Sequence, residues 1–384
     1  MRIAYFSDTF LPQVNGVTNT LGKLDAYLEK NSVQHKFFVP EYPETYPIED
    51  PSRVKRFKSV SLPIYNECRL SIPLYASMSK IIDQFNPDLI HLVTSLGIGW
   101  MGLKYAREKS IPLVSSYHTN FDAYLKYYKL EYLEDTIWSY FRWFHNFSGI
   151  NFCPSTDTMK TLDDKGIGNT RIWSRGIDAD KFSPAFKNIG IRQKFNAADK
   201  IMFLYVGRVA AEKDLDILLE CMNNINVLNP GKTSFIITGD GPYAGYMKKN
   251  APADTRFTGY LKGAELAEMY ASCDVFLFPS STETFGNVVL EAMASGLPVI
   301  AADAGGVKDS ITDGSDGFLC KARNAMSFTK AMDKFIKDPG LIASMGAEAR
   351  RHSLSKSWDS IFDSLLEDYR EIIGKARPDY GKTA

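Results

Sequence analysis

Short runs of apolar and β-branched residues alternate along the chain with longer segments whose apolar positions recur at helical spacing. In the first half the runs Arg2–Ser7, Gln34–Val39, Leu89–Val93, Pro112–Ser116 and Gly149–Cys153 read as strands. In the second half Ile201–Val206, Thr233–Thr238, Arg256–Thr258, Asp274–Phe278 and Pro298–Ala302 do the same. Helical segments separate most of them, and that rhythm predicts parallel sheets covered by helices on both faces. It resets after the Pro-containing polar stretch "DADKFSPAFKN", ahead of the strand at Ile201. The pattern therefore predicts an α/β protein of two doubly wound, Rossmann-like domains, residues 1–185 and 186–360. In such sheets ligands sit beyond the carboxyl ends of the strands, here in a cleft between the two domains. The closing segment "SWDSIFDSLLEDYREIIG" is amphipathic at helical spacing, so residues 361–384 are expected to form a helix and tail that cross back onto the first domain.

Composition narrows the reading. A chain of 384 residues exceeds one ordinary domain. Its net charge of zero argues against nucleic acid as the main partner. Five scattered cysteines, none in a CxxC pair, fit a reducing compartment and no structural zinc. "MRIAYFSDTF" is charged at once and reads as a strand rather than a signal peptide. The longest uncharged stretch, Leu89–Leu103, is too short to span a bilayer, so any membrane contact is expected to be peripheral.

The chemistry concentrates in a few loops. "ETFGNVVLE" sets Glu283 and Glu291 on either side of a predicted helix start near Gly286 and Asn287. Free N–H groups and the helix dipole there favour an anion, and carboxylates accept hydrogen bonds from hydroxyls. Hydroxyls, anion, hydroxyls describes a sugar nucleotide. The same stretch also reads as an S-x-x-E capping box starting at Ser280, with Glu291 a solvated helix residue. "VGRVAAEKDLD" places Arg208 and Lys213 in the loop after the second domain's first strand, where two cations could hold a diphosphate or form a surface pair. "ADAGGVKD" opens another helix with paired glycines, and "TGDGPY" reads as a structural turn. In the first domain Asn15-Gly16 allows a sharp turn and close approach to a ligand. His118 ends a predicted strand, where it is either a sugar contact or structural. The aromatic-rich stretch 121–147 reads as core, acceptor pocket or interfacial surface. The basic run Arg53, Lys55, Arg56 and Lys58 before "SLPIYNECRL" suits either an anionic lipid surface or a solvated loop. "GIGWMG" matches the spacing of a dinucleotide fingerprint, but the next strand ends in His118 rather than an acid. Glycines for helix–sheet packing explain it better.

Taken together, "ETFGNVVLE", "VGRVAAEKDLD", "TGDGPY", "AGG" and "NGVTNTL" resemble the large glycosyltransferase family four, retaining enzymes of GT-B architecture. "DTFLPQVNGV", "LPIYNECRL", "SSYHTNFDAY" and "IWSRGIDADKFSP" are similar to the branch holding GDP-mannose-dependent α-mannosyltransferases and sulfoquinovosyldiacylglycerol synthases. The resemblance implies a hexosyltransferase that works without a bound metal or other cofactor, with a nucleoside diphosphate sugar as co-substrate. It implies that Glu283 binds the donor sugar, that Phe285, Gly286 and Asn287 surround it, and that Glu291 holds the ribose. Arg208 and Lys213 would bind the diphosphate, Gly16 would close over it, and His118 would contact the sugar. Acceptor contacts are assigned to Asn15, Tyr117, Asn120, Tyr124 and Arg69. Asn120 stands where relatives often carry histidine. GDP-mannose leads as donor, followed by UDP-hexoses. The acceptor is expected to be a membrane lipid, reached peripherally from the cytoplasmic face. A sugar-nucleotide epimerase and a non-catalytic sugar-nucleotide or lipid sensor are the competing functions.

Overall fold

A computed structural model describes residues 1–13, 15–43, 50, 52–62, 65–118 and 131–376. The chain divides into two units, Met1–Ser174 with Asp359–Ala384, and Arg175–Trp358. All the predicted strands are present, to within a residue or two at their ends.

The strands of the first unit are β1 (Arg2–Phe6), β2 (Gln34–Pro40), β3 (Val54–Phe57), β4 (Val60–Leu62), β5 (Tyr65–Leu70), β6 (Leu89–Leu92), β7 (Leu113–Ser116), β8 (Asn151–Cys153) and β9 (Thr170–Ile172). Seven of them form a parallel sheet in the order β3-β2-β1-β6-β7-β8-β9, while β4 and β5 make a separate antiparallel pair. The strand order reverses between β1 and β6. The predicted inner strands are buried almost throughout, as strands covered on both faces must be.

The second unit contains β10 (Ile201–Val206), β11 (Thr233–Thr238), β12 (Thr255–Gly259), β13 (Val275–Phe278), β14 (Val299–Ala302) and β15 (Gly317–Cys320). They form a six-stranded parallel sheet, β12-β11-β10-β13-β14-β15, whose order reverses between β10 and β13. The loops after those two strands are the ones that carry "VGRVAAEKDLD" and "ETFGNVVLE".

Residues 175–185 fall in the second unit, short of the expected boundary at 185. Ile177 pairs with Ser357 and donates to the Lys356 carbonyl at 2.8 Å, and Phe182 packs edge-on against Tyr270. These long-range contacts, which no local polarity change announces, decide the division. The helix Trp358–Ala376 then returns to the first unit and buries Phe362, Leu365, Leu366, Tyr369 and Ile372. Tyr369 is hydrogen-bonded to His91 Nδ1 at 2.5 Å, and Ser116 to His91 Nε2 at 2.5 Å. Burial pushes the His91 pKa down to about 3, so the ring is neutral and offers one donor and one acceptor to its two hydroxyl neighbours.

Candidate active site

In the second unit the loop after β10 turns through the short 3-10 helix Ala211–Lys213 and enters the helix Leu215–Leu228 by way of Asp214, whose φ of 51° is left-handed. The Asp214 carboxylate accepts from the Ser281 amide at 2.8 Å and the Ser281 hydroxyl at 2.6 Å, and Arg323 Nε lies 3.3 Å from it. One carboxylate thus ties the β10, β13 and β15 loops together. That tie sets Lys213 against Glu283, with which it forms an ion pair. Arg208 pairs with Glu212 at 2.6 Å, and the Tyr205 hydroxyl donates to the Arg208 carbonyl at 3.0 Å.

The paired glycines after β14 have a steric reason. Gly306 donates its N–H to the Glu283 carbonyl at 2.8 Å. Gly305 has φ +60°, and a Cβ there would lie 2.4 Å from the same carbonyl oxygen. The β14 loop can approach Glu283 only without a side chain at that position.

The helix of "ETFGNVVLE" begins at Asn287, with Gly286 left-handed in the N-cap position and no side chain capping it. Ser280 is therefore not the head of a capping box. Its buried hydroxyl has no hydrogen-bond partner, nor has the buried Asn287 Oδ1. The first amides of this helix are left for water or a ligand, and Phe285 anchors the turn in the core. Glu291 is half-buried rather than freely solvated. The Tyr270 hydroxyl donates to its Oε2 at 3.0 Å, and burial pushes its pKa up to about 7. The second unit thus gathers Arg208, Lys213, Glu283, Phe285, Gly286, Asn287 and Glu291 on two neighbouring strand ends and one helix. The TGDGPY turn is structural: a Cβ on Gly239 would lie 1.9 Å from the Gly207 carbonyl oxygen.

In the first unit, Asn15 caps the helix Gly16–Lys30 in a capping box: its Oδ1 accepts from the Thr18 amide at 2.9 Å, and its own amide donates to Thr18 Oγ1 at 3.0 Å. Asn15 is thus engaged in holding the helix start rather than left for an acceptor. Gly16 is an exposed first helical residue rather than the pivot of a sharp turn. His118 follows β7 and sits edge-on to Trp173, with ring centroids 5.4 Å apart. Tyr117, expected at the acceptor, is instead core. Its ring stacks on Trp138 and meets Phe141 edge-on, because alternate residues at a strand end face opposite sides. Arg69 donates from Nε to Ser59 Oγ at 2.7 Å. Asn120 and Tyr124 lie outside the described residues, as does the aromatic stretch up to residue 130. Of its remainder, Trp138, Phe141 and Phe144 are buried, while Tyr132, Trp143 and Phe147 are exposed.

The basic run is no solvated loop. Val54–Phe57 is the edge strand β3, and Arg53 pairs with Glu29 at 2.8 Å. The glycines of "GIGWMG" do serve packing. A Cβ on Gly99 would lie 1.8 Å from the Thr94 carbonyl oxygen, and one on Gly102 would strike Phe6 and Leu92. The helix start there is already occupied by a protein carboxyl group. The buried Asp8 carboxylate accepts from the Ile98 amide at 2.8 Å and the Thr94 hydroxyl at 2.6 Å.

Sequence reasoning missed Asp8, Glu212, Asp214 and Tyr270. Glu212 lies four residues from Arg208 at ion-pair spacing and was legible. Tyr270 carries no local signal, since it reaches Glu291 from another helix. Among the described residues no group of three His, Cys, Asp or Glu could hold a metal ion, and no helix is long and apolar enough to cross a membrane.

Comparison with known proteins adds to this geometry. Residues 188–352 match the family described as glycosyl transferases group 1, and residues 14–181 match glycosyltransferase family 4. The chain is 33% identical over 380 residues to a GDP-mannose-dependent alpha-mannosyltransferase of Mycobacterium tuberculosis, covering 98% of each. It is 29% identical over 333 residues to an alpha-monoglucosyldiacylglycerol synthase of Streptococcus pneumoniae, covering 83% of this chain and 75% of the relative. A sucrose-phosphate synthase structure from Thermosynechococcus elongatus superposes with a TM-score of 0.79 at 20% identity, covering 97% of this chain and 99% of that one. That last likeness bears on the fold, which is GT-B.

Proposed function

The chain belongs to glycosyltransferase family 4, whose members are retaining hexosyltransferases, and on that premise we propose that it transfers mannose from GDP-mannose to a hydroxyl of a membrane lipid. The observation that carries the reading is the loop cluster of the second unit: Lys213 against Glu283, Arg208 beside it, and an uncapped helix start leading to Glu291. In the proposed complex the diphosphate takes the two cations from Glu212 and Glu283 and lies against the free amides of Asn287 and its neighbours. Glu283, released, accepts from sugar hydroxyls, and Glu291 accepts from the ribose diol. As the sugar–phosphate bond breaks, negative charge grows on the leaving diphosphate, where Arg208 and Lys213 stabilise it. A phosphate oxygen takes the acceptor proton on the same face of the sugar, which preserves the anomeric configuration. His118 is assigned to the reacting sugar, and the first unit to the acceptor. No resident metal or other cofactor enters the scheme.

The donor assignment draws on the mannosyltransferase named above, and the lipid acceptor on the diacylglycerol synthase named above. The enzyme would act peripherally, from the cytoplasmic side of the membrane. Nucleotide release is measured with GDP-mannose and UDP-glucose, with and without membrane lipid extract, and the lipid product is weighed by mass spectrometry. GDP-mannose with lipid should support release and the product should gain one hexose. Lys213→Ala and Arg208→Ala should each lower kcat by about 10²–10³-fold, the range for removing one group that stabilises transition-state charge. Near-wild-type turnover in both would sink the assignment.

A further inference from the structure

The two oxygens of the Glu291 carboxyl have different surroundings. Oε2 accepts from the Tyr270 hydroxyl at 3.0 Å. Oε1 has no hydrogen-bond partner among the described residues, and it is not sealed off as Asn287 Oδ1 is, one turn earlier on the same helix. One oxygen is thus held from inside the second unit. The other is left toward the surface of a half-buried side chain.

Tyr270 is itself firmly held. It is fully buried near the end of the helix Gly263–Ser272, and Glu291 is its hydrogen-bond partner. Its ring meets Phe182 edge-on, with centroids 5.6 Å apart, and lies 5.8 Å from the ring of Phe276 on β13. Arg350 Nη1 donates to the Phe182 carbonyl at 2.7 Å, and also to the carbonyl of Ala294, the last residue of the helix that carries Glu291. One guanidinium therefore braces both the wall behind the tyrosine and the helix the tyrosine reaches. Burial, and then the neighbouring Glu291 carboxyl, push the phenol well above its usual pKa, so the hydroxyl stays a donor. Two further titratable groups act here: Tyr205 of β10 on Tyr270, and Lys181, over the Phe182 ring, on Glu291.

We propose that Tyr270 is a positioning residue for donor binding: by holding Glu291 Oε2 it presents Oε1 to the ribose diol and makes the site select ribonucleotides over deoxyribonucleotides. The inference rests on the ribose role given to Glu291 above. An ionised carboxyl only accepts, so it takes hydrogen bonds from Tyr270 and from both ribose hydroxyls at once. A protonated one must donate from one oxygen and loses part of that capacity. The hydroxyl of Tyr270 favours the ionised form, and Lys181 adds to it, both against the burial that raises the pKa to about 7. A hydrogen bond to a charged group corresponds to about 1–2 pH units. Tyr270 thus sets the pH at which the ribose is recognised as well as the oxygen that recognises it.

The test uses the full chain and two nucleotide pairs. Calorimetry measures the affinity ratio of GDP to 2′-deoxyGDP between pH 5.5 and 8.5, with UDP and 2′-deoxyUDP run alongside. The ratio cancels the titration of base and phosphates, which the members of a pair share. In wild type it should reach about 10-fold or more at pH 8 and decline through a midpoint near 7 as pH falls. Tyr270→Phe keeps the ring against Phe182 and removes only the hydroxyl. It should move the midpoint up by about 1–2 pH units and lower the ratio at pH 7.5 by about 2-fold or more. In a Glu291→Gln background the ratio should not vary with pH, and adding Tyr270→Phe should leave it so. A Tyr270→Phe protein with the wild-type midpoint and ratio overturns the positioning role and leaves the ribose role of Glu291 standing. A wild-type ratio above one that is flat with pH overturns the inference without any variant. A wild-type ratio of one at every pH overturns the ribose role and the inference with it. No binding of either pair overturns the donor reading itself.

Discussion

Replacing Glu291 by glutamine should stabilise the second unit at alkaline pH and weaken donor binding at the same time. In the folded protein burial raises the pKa of this carboxyl from 4.5 to about 7. The folded state therefore holds the proton more tightly than the unfolded chain does. Below pH 4.5 both states are protonated and the carboxyl costs nothing. Between 4.5 and 7 stability falls as pH rises, and above 7 the full penalty of ionising a buried acid is in place. At ~1.4 kcal/mol for each pH unit, that penalty is about 3 kcal/mol. Glutamine keeps the shape and an oxygen to accept from the Tyr270 hydroxyl, but never ionises. Glu291→Gln should therefore unfold at a higher temperature than wild type at pH 8, by about 6–12 °C at ~2–4 °C per kcal/mol. At pH 5, half a unit above the unfolded value, the gain should shrink to about 1 kcal/mol. Scanning calorimetry at the two pH values measures the difference. The binding effect has the opposite sign. A ribose diol donates to an ionised carboxylate more strongly than to an amide, so GDP affinity should fall about 10–100-fold at pH 8 in the variant. Wild-type affinity should fall as pH drops below 7, while that of the variant stays flat. A melting difference that is the same at both pH values, or a variant less stable than wild type at pH 8, refutes the burial argument.

Other perturbations test the scaffold and the loops. Gly99→Ala places a Cβ 1.8 Å from the Thr94 carbonyl oxygen and should cost the first unit about 3 kcal/mol or more, read as a lowered first calorimetric transition, with donor affinity unchanged. Asp214→Ala leaves a left-handed alanine, strips the Ser281 amide of its acceptor and frees the β13 loop. It should cost about 2–4 kcal/mol in denaturant melts and lower kcat more than Asp214→Asn, which tolerates the backbone and retains one accepting oxygen. Equal kcat in the two Asp214 variants would separate that residue from the placement of Lys213.

The inner strands were legible because each is a short apolar run covered on both faces. The strands that escaped are β3, β9 and β15, the hairpin β4-β5 among them in the chain, and all but the hairpin lie at sheet edges. "VKRF" and "TRI" are half-exposed there, so burial left no periodic mark on them. The charge-bearing loops after β10 and β13 were legible too, since an N–H-rich helix start, its glycines and its flanking charges are local features. The acceptor assignment failed at Tyr117, whose ring packs into the core.

The sequence by itself determined the alternation of strands and helices, and with it two parallel sheets and the chemical character of each strand-end loop. Those follow from interactions within a few residues: apolar period, turn glycines, helix starts. Only the tertiary structure decided which charges meet. Lys213 faces Glu283 across 70 residues of chain because β10 and β13 are neighbours at the order reversal. Tyr270 reaches Glu291 from a distant helix, in a setting whose burial raises the pKa of the carboxyl. Asp8 fills the helix start that a glycine spacing had made resemble a nucleotide site. Burial and partner choice depend on which distant elements pack together, and a one-dimensional pattern carries that only after the chain has folded.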